Sequence, residues 1–291
     1  MFQLLALLTG AVIALSVASN GSLTAHSGLY TATVILHAVG TLVALIAVKA
    51  QRKSLRPTQK LPIWMYTGGL IGVFTAIFNN LAFGQISMTA IVALGLFGQT
   101  VCALFIDGFG LFGTQKRPIR GATWLGLAFS LAGIVYMLVG SGGMTLLALL
   151  VSLGSGVTII VSRMINALLA EKSSAITSSF INHFAGLLLA IVVFLLLGRG
   201  ESFAGLKGAP WAAYFGGALG VLLVLLNNLT VLKISAFQVT LLTFVGQLFV
   251  GIAIDFLLQN GYSKQTFIGG ILVSVGIAAS MLAEKFIPAK S

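Results

Sequence analysis

Apolar runs of about 20 residues recur along the whole chain and are separated by short polar segments. A helix of that length crosses about 30 Å of hydrocarbon, and a continuously apolar run does not fit the alternating pattern of a membrane β-barrel strand. The pattern therefore predicts an all-α, polytopic membrane protein. Its ten predicted transmembrane helices lie near residues 2–20, 29–49, 62–83, 88–112, 121–139, 144–166, 175–197, 210–232, 235–258 and 265–287.

Polar positions inside these runs recur in a second copy about half the chain away. At a fixed offset of 148 residues the matched pairs are Asn79/Asn227, Asn80/Asn228, Gln99/Gln247 and Asp107/Asp255. At an offset of 146 residues they are Ser16/Ser162, Asn20/Asn166 and His37/His183. An offset of this size indicates an internal duplication rather than a short repeat array. The sequence thus predicts a first five-helix repeat over 1–139, a linker over 140–143 and a second repeat over 144–291.

Each predicted repeat contains an odd number of helices. The second repeat must therefore enter the membrane from the opposite side, which predicts two inverted five-helix repeats. In transporters of this architecture the substrate lies near the bilayer midplane between the repeats, and exchange of the two repeat conformations opens the site to alternate sides. Inverted repeats favour a transporter, although a fold alone does not establish function.

Composition agrees with a membrane protein, and the charge distribution orients it. Hydrophobic residues make up 58% of the chain and charged residues 7%, against about 25% charged residues in soluble domains. With the loops after helices 2 and 4 in the cytoplasm, 13 of the 16 lysines and arginines lie inside, and only Arg199, Lys207 and Lys264 lie outside. This bias predicts that both termini are cytoplasmic. The basic residues contact anionic lipid headgroups, and no nucleic-acid module interleaves them with aromatic residues.

The mirrored amides are the first candidate site. Gln99 and Gln247 lie near the middle of predicted spans, where an amide without a hydrogen-bond partner costs several kcal/mol. Two interpretations stay open: interhelical hydrogen bonds, which average about 0.6 kcal/mol in membrane proteins, or contact with substrate and water in a central cavity. On the second interpretation the substrate-binding residues are Asn20, Asn79, Asn80, Gln99, Asn166, Asn227, Asn228 and Gln247.

Two histidines inside predicted spans are candidates for coupling transport to a proton. His37 and His183 lie at equivalent positions of helices 2 and 7, each with hydroxyl-bearing residues and a glycine on the same helical face. A histidine in a membrane span can titrate near neutral pH and so carry a proton. The alternative is a neutral imidazole that is hydrogen-bonded to a neighbouring helix.

Two aspartates are the other coupling candidates. Asp107 and Asp255 each precede a lysine by nine residues, namely Lys116 and Lys264. Because a carboxylate inside the bilayer needs water or a partner, we interpret these pairs as ion pairs at helix ends, with proton or cation binding as the alternative. Arg163 has an apolar residue at the equivalent position of the first repeat and is predicted to extend to the cytoplasmic surface.

Soluble catalytic signatures are absent from the sequence. It contains no phosphate-binding G-x-x-x-x-G-K-[ST], no H-E-x-x-H, no G-x-S-x-G and only five carboxylates. The single cysteine, Cys102, excludes an intrachain disulfide, and three histidines argue against a structural zinc site. The chain is therefore expected to be no enzyme and to bind no cofactor or metal.

The segment GQTVCALFIDGFGLFG at residues 98–113, with the basic residues that follow it at 116–118, resembles the signature of the YdcZ-like branch of the drug/metabolite transporter superfamily. The resemblance covers nearly the whole chain, once per repeat, although the second copy lacks the glycine after Asp255-Phe256. It implies a fused ten-helix form with antiparallel halves, in a bacterial inner membrane, that exports small molecules. Small multidrug transporters of related fold carry a proton-binding glutamate in their first helix. That helix has no acid here, so proton/cationic-drug antiport is not implied.

We predict a secondary transporter that exports a small polar or amphipathic metabolite by alternating access. A lipid or lipid-linked sugar flippase of the same fold and a non-transporting membrane structural protein are the alternatives. Transport predicts a water-accessible cavity lined by the mirrored amides, a flippase predicts a lateral opening to the bilayer, and a structural role predicts mutually satisfied amides in a dry core. The expected partners are a small-molecule substrate and the lipid bilayer, with no nucleic acid. Because both repeats are fused, a monomer suffices for function.

Overall fold

The computed structural model describes residues 1–82, 88–116, 121–138, 145–257 and 264–286. These residues form ten α-helices and four short 3₁₀ helices, and no strand occurs among them. The α-helices are α1 (Phe2–Ser27), α2 (Leu29–Ala50), α3 (Gly68–Ala82), α4 (Met88–Phe109), α5 (Gly121–Leu138), α6 (Leu146–Glu171), α7 (Ala175–Leu197), α8 (Phe215–Thr230), α9 (Ala236–Leu257) and α10 (Lys264–Phe286). The 3₁₀ helices are Ile63–Tyr66, Leu111–Gly113, Phe203–Gly208 and Trp211–Tyr214.

The helices have the composition of membrane spans. Six described segments of 19 to 26 residues, with mean hydropathies of 1.7 to 2.5, are long and apolar enough to cross a bilayer. Five of them lie in α1, α2, α6, α7 and α9. The sixth, Trp211–Thr230, combines α8 with the 3₁₀ helix that precedes it. Shorter apolar stretches lie in α3, α4, α5 and α10. The prediction of an all-α, polytopic membrane protein is confirmed.

Large apolar side chains cover the outer surface, while small polar side chains lie inside. Leu4 and Leu195 are 70% exposed, whereas Thr31 and Ser179 are fully buried. A contiguous apolar surface of this kind suits contact with lipid tails and not with water. The distribution of exposed and buried residues therefore agrees with the hydropathy of the helices.

Helix boundaries differ from the predicted ones in two ways. The helices α1 and α6 continue to Ser27 and Glu171, beyond the polar positions where the hydropathy falls. The helices α3 and α8 begin later than predicted because Pro62 and Pro210 each precede a 3₁₀ helix. Each proline is the N-cap of that 3₁₀ turn, and the α-helix begins after the turn.

Contacts between the first and second halves of the chain occur in matched pairs. α1 packs against α8 and α9, and α6 packs against α3 and α4; α2 packs against α7, and α5 against α10. Glycines set the closest approaches. A Cβ at Gly10 would overlap the carbonyl of Thr243, and a Cβ at Gly156 would overlap the carbonyl of Gly95. Small residues bring backbones together, which is the main source of packing energy between membrane helices.

Two glycines of α9 separate the effect of close packing from that of helix propensity. At Gly246 a Cβ would overlap the carbonyl of Leu7 on α1, whereas at Gly251 it would meet open space. Gly246→Ala is therefore expected to destabilise the protein by about 1–3 kcal/mol through overpacking. Gly251→Ala should be neutral or stabilising, since alanine favours a helix by about 0.5–1 kcal/mol over glycine. Thermal unfolding in detergent measures both, and equal transition temperatures would contradict the α1–α9 packing.

Candidate functional site

An arginine and a glutamine meet where α6 crosses α4. Nη1 of Arg163 donates a hydrogen bond of 3.4 Å to Oε1 of Gln99. Gln99 lies near the middle of α4, and Arg163 lies eight residues before the end of α6, about 12 Å along the helix axis. The prediction that Arg163 extends to the cytoplasmic surface is therefore wrong. Helical side chains incline toward the N-terminus of their helix, which directs this guanidinium into the interior, away from the end of α6.

The surrounding packing makes this arginine face another helix and not lipid. Gly156 lies two turns before Arg163 on the same face of α6, and its backbone lies directly against that of α4 at Gly95 and Gln99. Ile160, one turn before Arg163, is buried. Arg163 and Gln99 nevertheless stay half-buried. Part of each side chain therefore stays accessible at the edge of the α4–α6 contact.

Polar contacts continue from this pair along α6 toward α3. The hydroxyls of Thr158 and Thr75 are hydrogen-bonded at 2.8 Å, and Ser162 donates to the carbonyl of Gly68 at 2.8 Å. Asn79 lies one turn after Thr75 on α3, and its Oδ1 is buried without a hydrogen-bond partner in the described part of the chain. The α3–α6 contact is thus polar over several turns.

Asn20 and Asn166 occupy equivalent places. Each donates to the serine one turn earlier at 3.4 Å, and Asn166 also donates to Oδ1 of Asn182 at 2.8 Å. Their own oxygens lie beside Gly216 of α8 and Gly68 of α3, respectively. Asn166 thereby joins α6 to α7, whereas the hydrogen bond of Asn20 lies within α1. Their buried oxygens are without partners among the described residues.

Two further asparagines of the predicted site form hydrogen bonds through the side-chain nitrogen and not through the oxygen. Asn227 donates to the carbonyl of Leu223 at 3.0 Å, and Asn228 donates to the carbonyl of Ala175 at 3.2 Å. The oxygens of both are buried without a partner among the described residues. Gln247 is half-buried on α9. The side chain of Asn80 lies outside the described residues.

The two predicted histidines meet at the α2–α7 contact. The ring centroids of His37 and His183 are 5.9 Å apart, and both rings are buried. Each ring packs against a glycine of the opposite helix, His37 against Gly186 and His183 against Gly40. Nδ1 of His183 donates to the carbonyl of Ser179 within its own helix at 2.9 Å. Their role in proton coupling stays a prediction.

Asp107 caps the first turn of α9. Its two carboxylate oxygens accept hydrogen bonds of 2.9 Å from the amides of Ala236 and Phe237, and the side chain is 6% exposed. The carboxylate thus contacts the first turn of α9, and the expected ion pair with the exposed Lys116 stays a prediction. Free amides at a helix N-terminus attract a carboxylate through hydrogen bonds and the helix dipole. The side chain of Asp255 lies outside the described residues.

A second carboxylate cap was missed by sequence reasoning. Glu201, in the loop between α7 and α8, accepts hydrogen bonds from the amides of Tyr30 and Thr31 at 3.1 and 2.7 Å. These amides belong to the first turn of α2, whose N-cap is Gly28 at φ +87°. The one available signal was the lack of a Ser, Thr, Asp or Asn at that N-cap, which leaves the amides of α2 in need of a distant acceptor.

The fold and its buried polar groups define a multi-pass membrane protein with polar contacts between its helices. The sequence model of the family described as "Putative inner membrane exporter, YdcZ" matches residues 1–136 and 147–282. Because these segments cover most of the chain, the protein belongs to the YdcZ family, a branch of the drug/metabolite transporters. It is therefore an inner-membrane protein of a family described as transporters and not as enzymes. No curated protein sequence matches the chain.

The fold also occurs in a solved crystal structure. That structure, described only as a protein, aligns with 99% of this chain and 98% of its own with a TM-score of 0.73. The sequences are 16% identical, so the similarity establishes the fold alone.

The cap formed by Asp107 is tested by removing its charge. Asp107→Asn keeps one acceptor oxygen but replaces the other with an amide NH₂ group. It should lower the free energy of unfolding by about 1–3 kcal/mol, since a buried amide of α9 is left unpaired. Glu171→Gln, at the exposed end of α6, is the control and should change it by less than about 0.5 kcal/mol. Equal thermal stability of the two variants in detergent would contradict the assigned cap.

Proposed function

We propose that this protein is a secondary transporter that exports a small polar or amphipathic metabolite by alternating access between two inverted five-helix repeats. The hydrogen-bonded pair of Gln99 and Arg163, half-buried where α6 crosses α4, carries the proposal. A charged side chain deep in a membrane span is costly and is characteristic of substrate and ion pathways. Membership of the exporter family supports the same function.

Matched contacts support the two inverted repeats. The family sequence model matches each half separately, at an offset of 146 residues. The glycine contact of Gly10 with Gly246 has its counterpart, at the offsets of 146 and 148 residues, in the contact of Gly156 with Gly98. Repeats whose contacts are equivalent can exchange conformations, which is the requirement for alternating access.

Interactions between loops support the alternation of ten spans, and the excess of basic residues on one side favours cytoplasmic termini. On the proposed cytoplasmic side, Thr177 donates to the carbonyl of Ser54, and Asp107 caps α9. On the proposed outer side, Glu201 caps α2, and Gly205 lies against the carbonyl of His26. Each of these contacts joins segments that the topology places on one side of the membrane.

The two carboxylate caps are proposed to close the opposite ends of the pathway. Asp107 belongs to the first half and binds α9 of the second, whereas Glu201 belongs to the second half and binds α2 of the first. Opening either end separates the halves there, so one cap must release while the other stays closed. The unused amide oxygens inside supply acceptors for water and substrate between them.

Water access to positions 99 and 247 distinguishes a transporter from a dry structural protein. In a Cys102→Ala background, Gln99→Cys and Gln247→Cys should react with a hydrophilic, membrane-impermeant thiosulfonate. The matched controls are Val101→Cys and Phe249→Cys, each two residues further on the same helix and 37% and 45% exposed at the lipid-facing surface. They should react slowly, because the reagent needs water. Labelling is measured on protein in liposomes by mass spectrometry.

Two exposed loop positions mark the sides in the same experiment. In liposomes where the protein is inserted as in the cell, Ala204→Cys should react with reagent added outside. Gln59→Cys should react only after the liposomes are opened. The reverse pattern would refute the orientation. A failure of positions 99 and 247 to react above the lipid-facing controls would refute the transport cavity.

A further inference from the structure

Arg163 is unlike every other basic residue of the chain. Of 16 lysines and arginines, it alone lies inside a described α-helix more than one residue from the helix end. Of the five acidic residues, four lie within two residues of an α-helix end, and Glu201 lies in a loop. Arg163 is therefore the one charged residue that lies within a described α-helix and more than two residues from its end.

The guanidinium is also incompletely paired. It has five N–H donors, and within the described residues its hydrogen bond is the one to Gln99, at 3.4 Å. A structural ion pair would use these donors fully, because an unpaired charge in a low-dielectric interior costs several kcal/mol. Donors that remain available on a half-buried side chain are suited to a ligand.

Helix packing does not require this charge. The equivalent position on α1 is Val17, where α1 makes the same kind of glycine contact with α9 that α6 makes with α4. Gln247 on α9 corresponds to Gln99 on α4. One half of the chain therefore builds this helix contact with valine and glutamine, and the other half with arginine and glutamine. The charge is a feature that the architecture can omit.

We propose that the transported molecule carries a single carboxylate and that Arg163 binds it, with the Nε2 group of Gln99 as a further donor. This inference rests on the proposed transport function. The planar guanidinium binds both oxygens of a carboxylate in parallel hydrogen bonds. One positive charge is neutralised by one negative charge. A phosphate monoester, with a charge of about −1.5 to −2, would leave excess negative charge in the interior.

Reagents of opposite charge test the local potential. In the Cys102→Ala background, the thiol introduced by Gln99→Cys is modified by an anionic and by a cationic thiosulfonate, and the ratio of the two rates is measured. Gln247→Cys is the matched control, because its equivalent neighbour is Val17. The anionic-to-cationic ratio should be higher at position 99 by about tenfold or more, as expected for a nearby unit charge. Adding Arg163→Gln should bring the ratio at position 99 to that at position 247.

The outcomes separate the two proposals. If both positions react with the same ratio, the cavity stands and the anion site is refuted. If neither position reacts above the lipid-facing controls, the transport cavity itself is refuted. The comparison of positions 99 and 247 needs no change at Arg163, so it stays decisive even where Arg163→Gln does not fold.

Ligand protection tests the class of anion. Hexanoate, hexanamide and hexyl phosphate are compared for their ability to slow modification at position 99 by a neutral thiol reagent. Hexanoate should protect and hexanamide should not, and Arg163→Gln should abolish protection, whereas Arg199→Gln in the exposed outer loop should preserve it. Equal protection by hexanoate and hexanamide, or stronger protection by hexyl phosphate, would refute a monocarboxylate substrate.

Discussion

A polar group inside the hydrocarbon must find its partner in the protein, since lipid tails offer none. This constraint decides where the helices of this protein meet. The backbone amide of Ala236 in the first turn of α9 donates to Asp107, which lies 129 residues earlier in the chain. The amide of Thr31 in the first turn of α2 donates to Glu201, which lies 170 residues later. Each cap joins the two halves of the chain. The charge that makes a buried carboxylate costly is also what makes it a strong acceptor for helix amides, so these residues fix the ends of the bundle.

The same constraint identifies the groups that serve function. Amide nitrogens of Asn20, Asn166, Asn227 and Asn228 are hydrogen-bonded, while their buried oxygens have no partner among the described residues. Within the same part of the chain, Arg163 uses one donor of five. Such groups would destabilise a dry core, and they are tolerable where water or substrate reaches them. Stability and function thus use different polar residues: satisfied carboxylates hold the ends, and incompletely satisfied amides and one arginine lie between them.

Sequence periodicity and duplication predicted most of the fold and part of the site. All ten described helices correspond to predicted apolar runs, because helix formation in a membrane is a local property of composition. The predicted runs began at Pro62 and Pro210, whereas α3 and α8 start after a 3₁₀ turn. The orientation of Arg163 and the partners of Asp107 and Glu201 were not predictable, because each depends on which helix lies alongside, often more than 100 residues away. Duplication identified Gln99 and His37 as paired with second copies, but not that Gln99 stays partly accessible while His37 is buried.

Distances between spin labels at the two ends of the molecule test alternating access most directly. One pair replaces Gln115 and Lys233 near the Asp107 cap, and the other replaces Ala25 and Ala204 near the Glu201 cap; all four positions are exposed. Double electron–electron resonance spectroscopy in nanodiscs gives the distance distribution of each pair for the parent protein, for Asp107→Asn and for Glu201→Gln. The account predicts that Asp107→Asn lengthens the first distance and leaves the second short, and that Glu201→Gln does the reverse. Lengthening of both distances by either variant, or of neither by both, would contradict it.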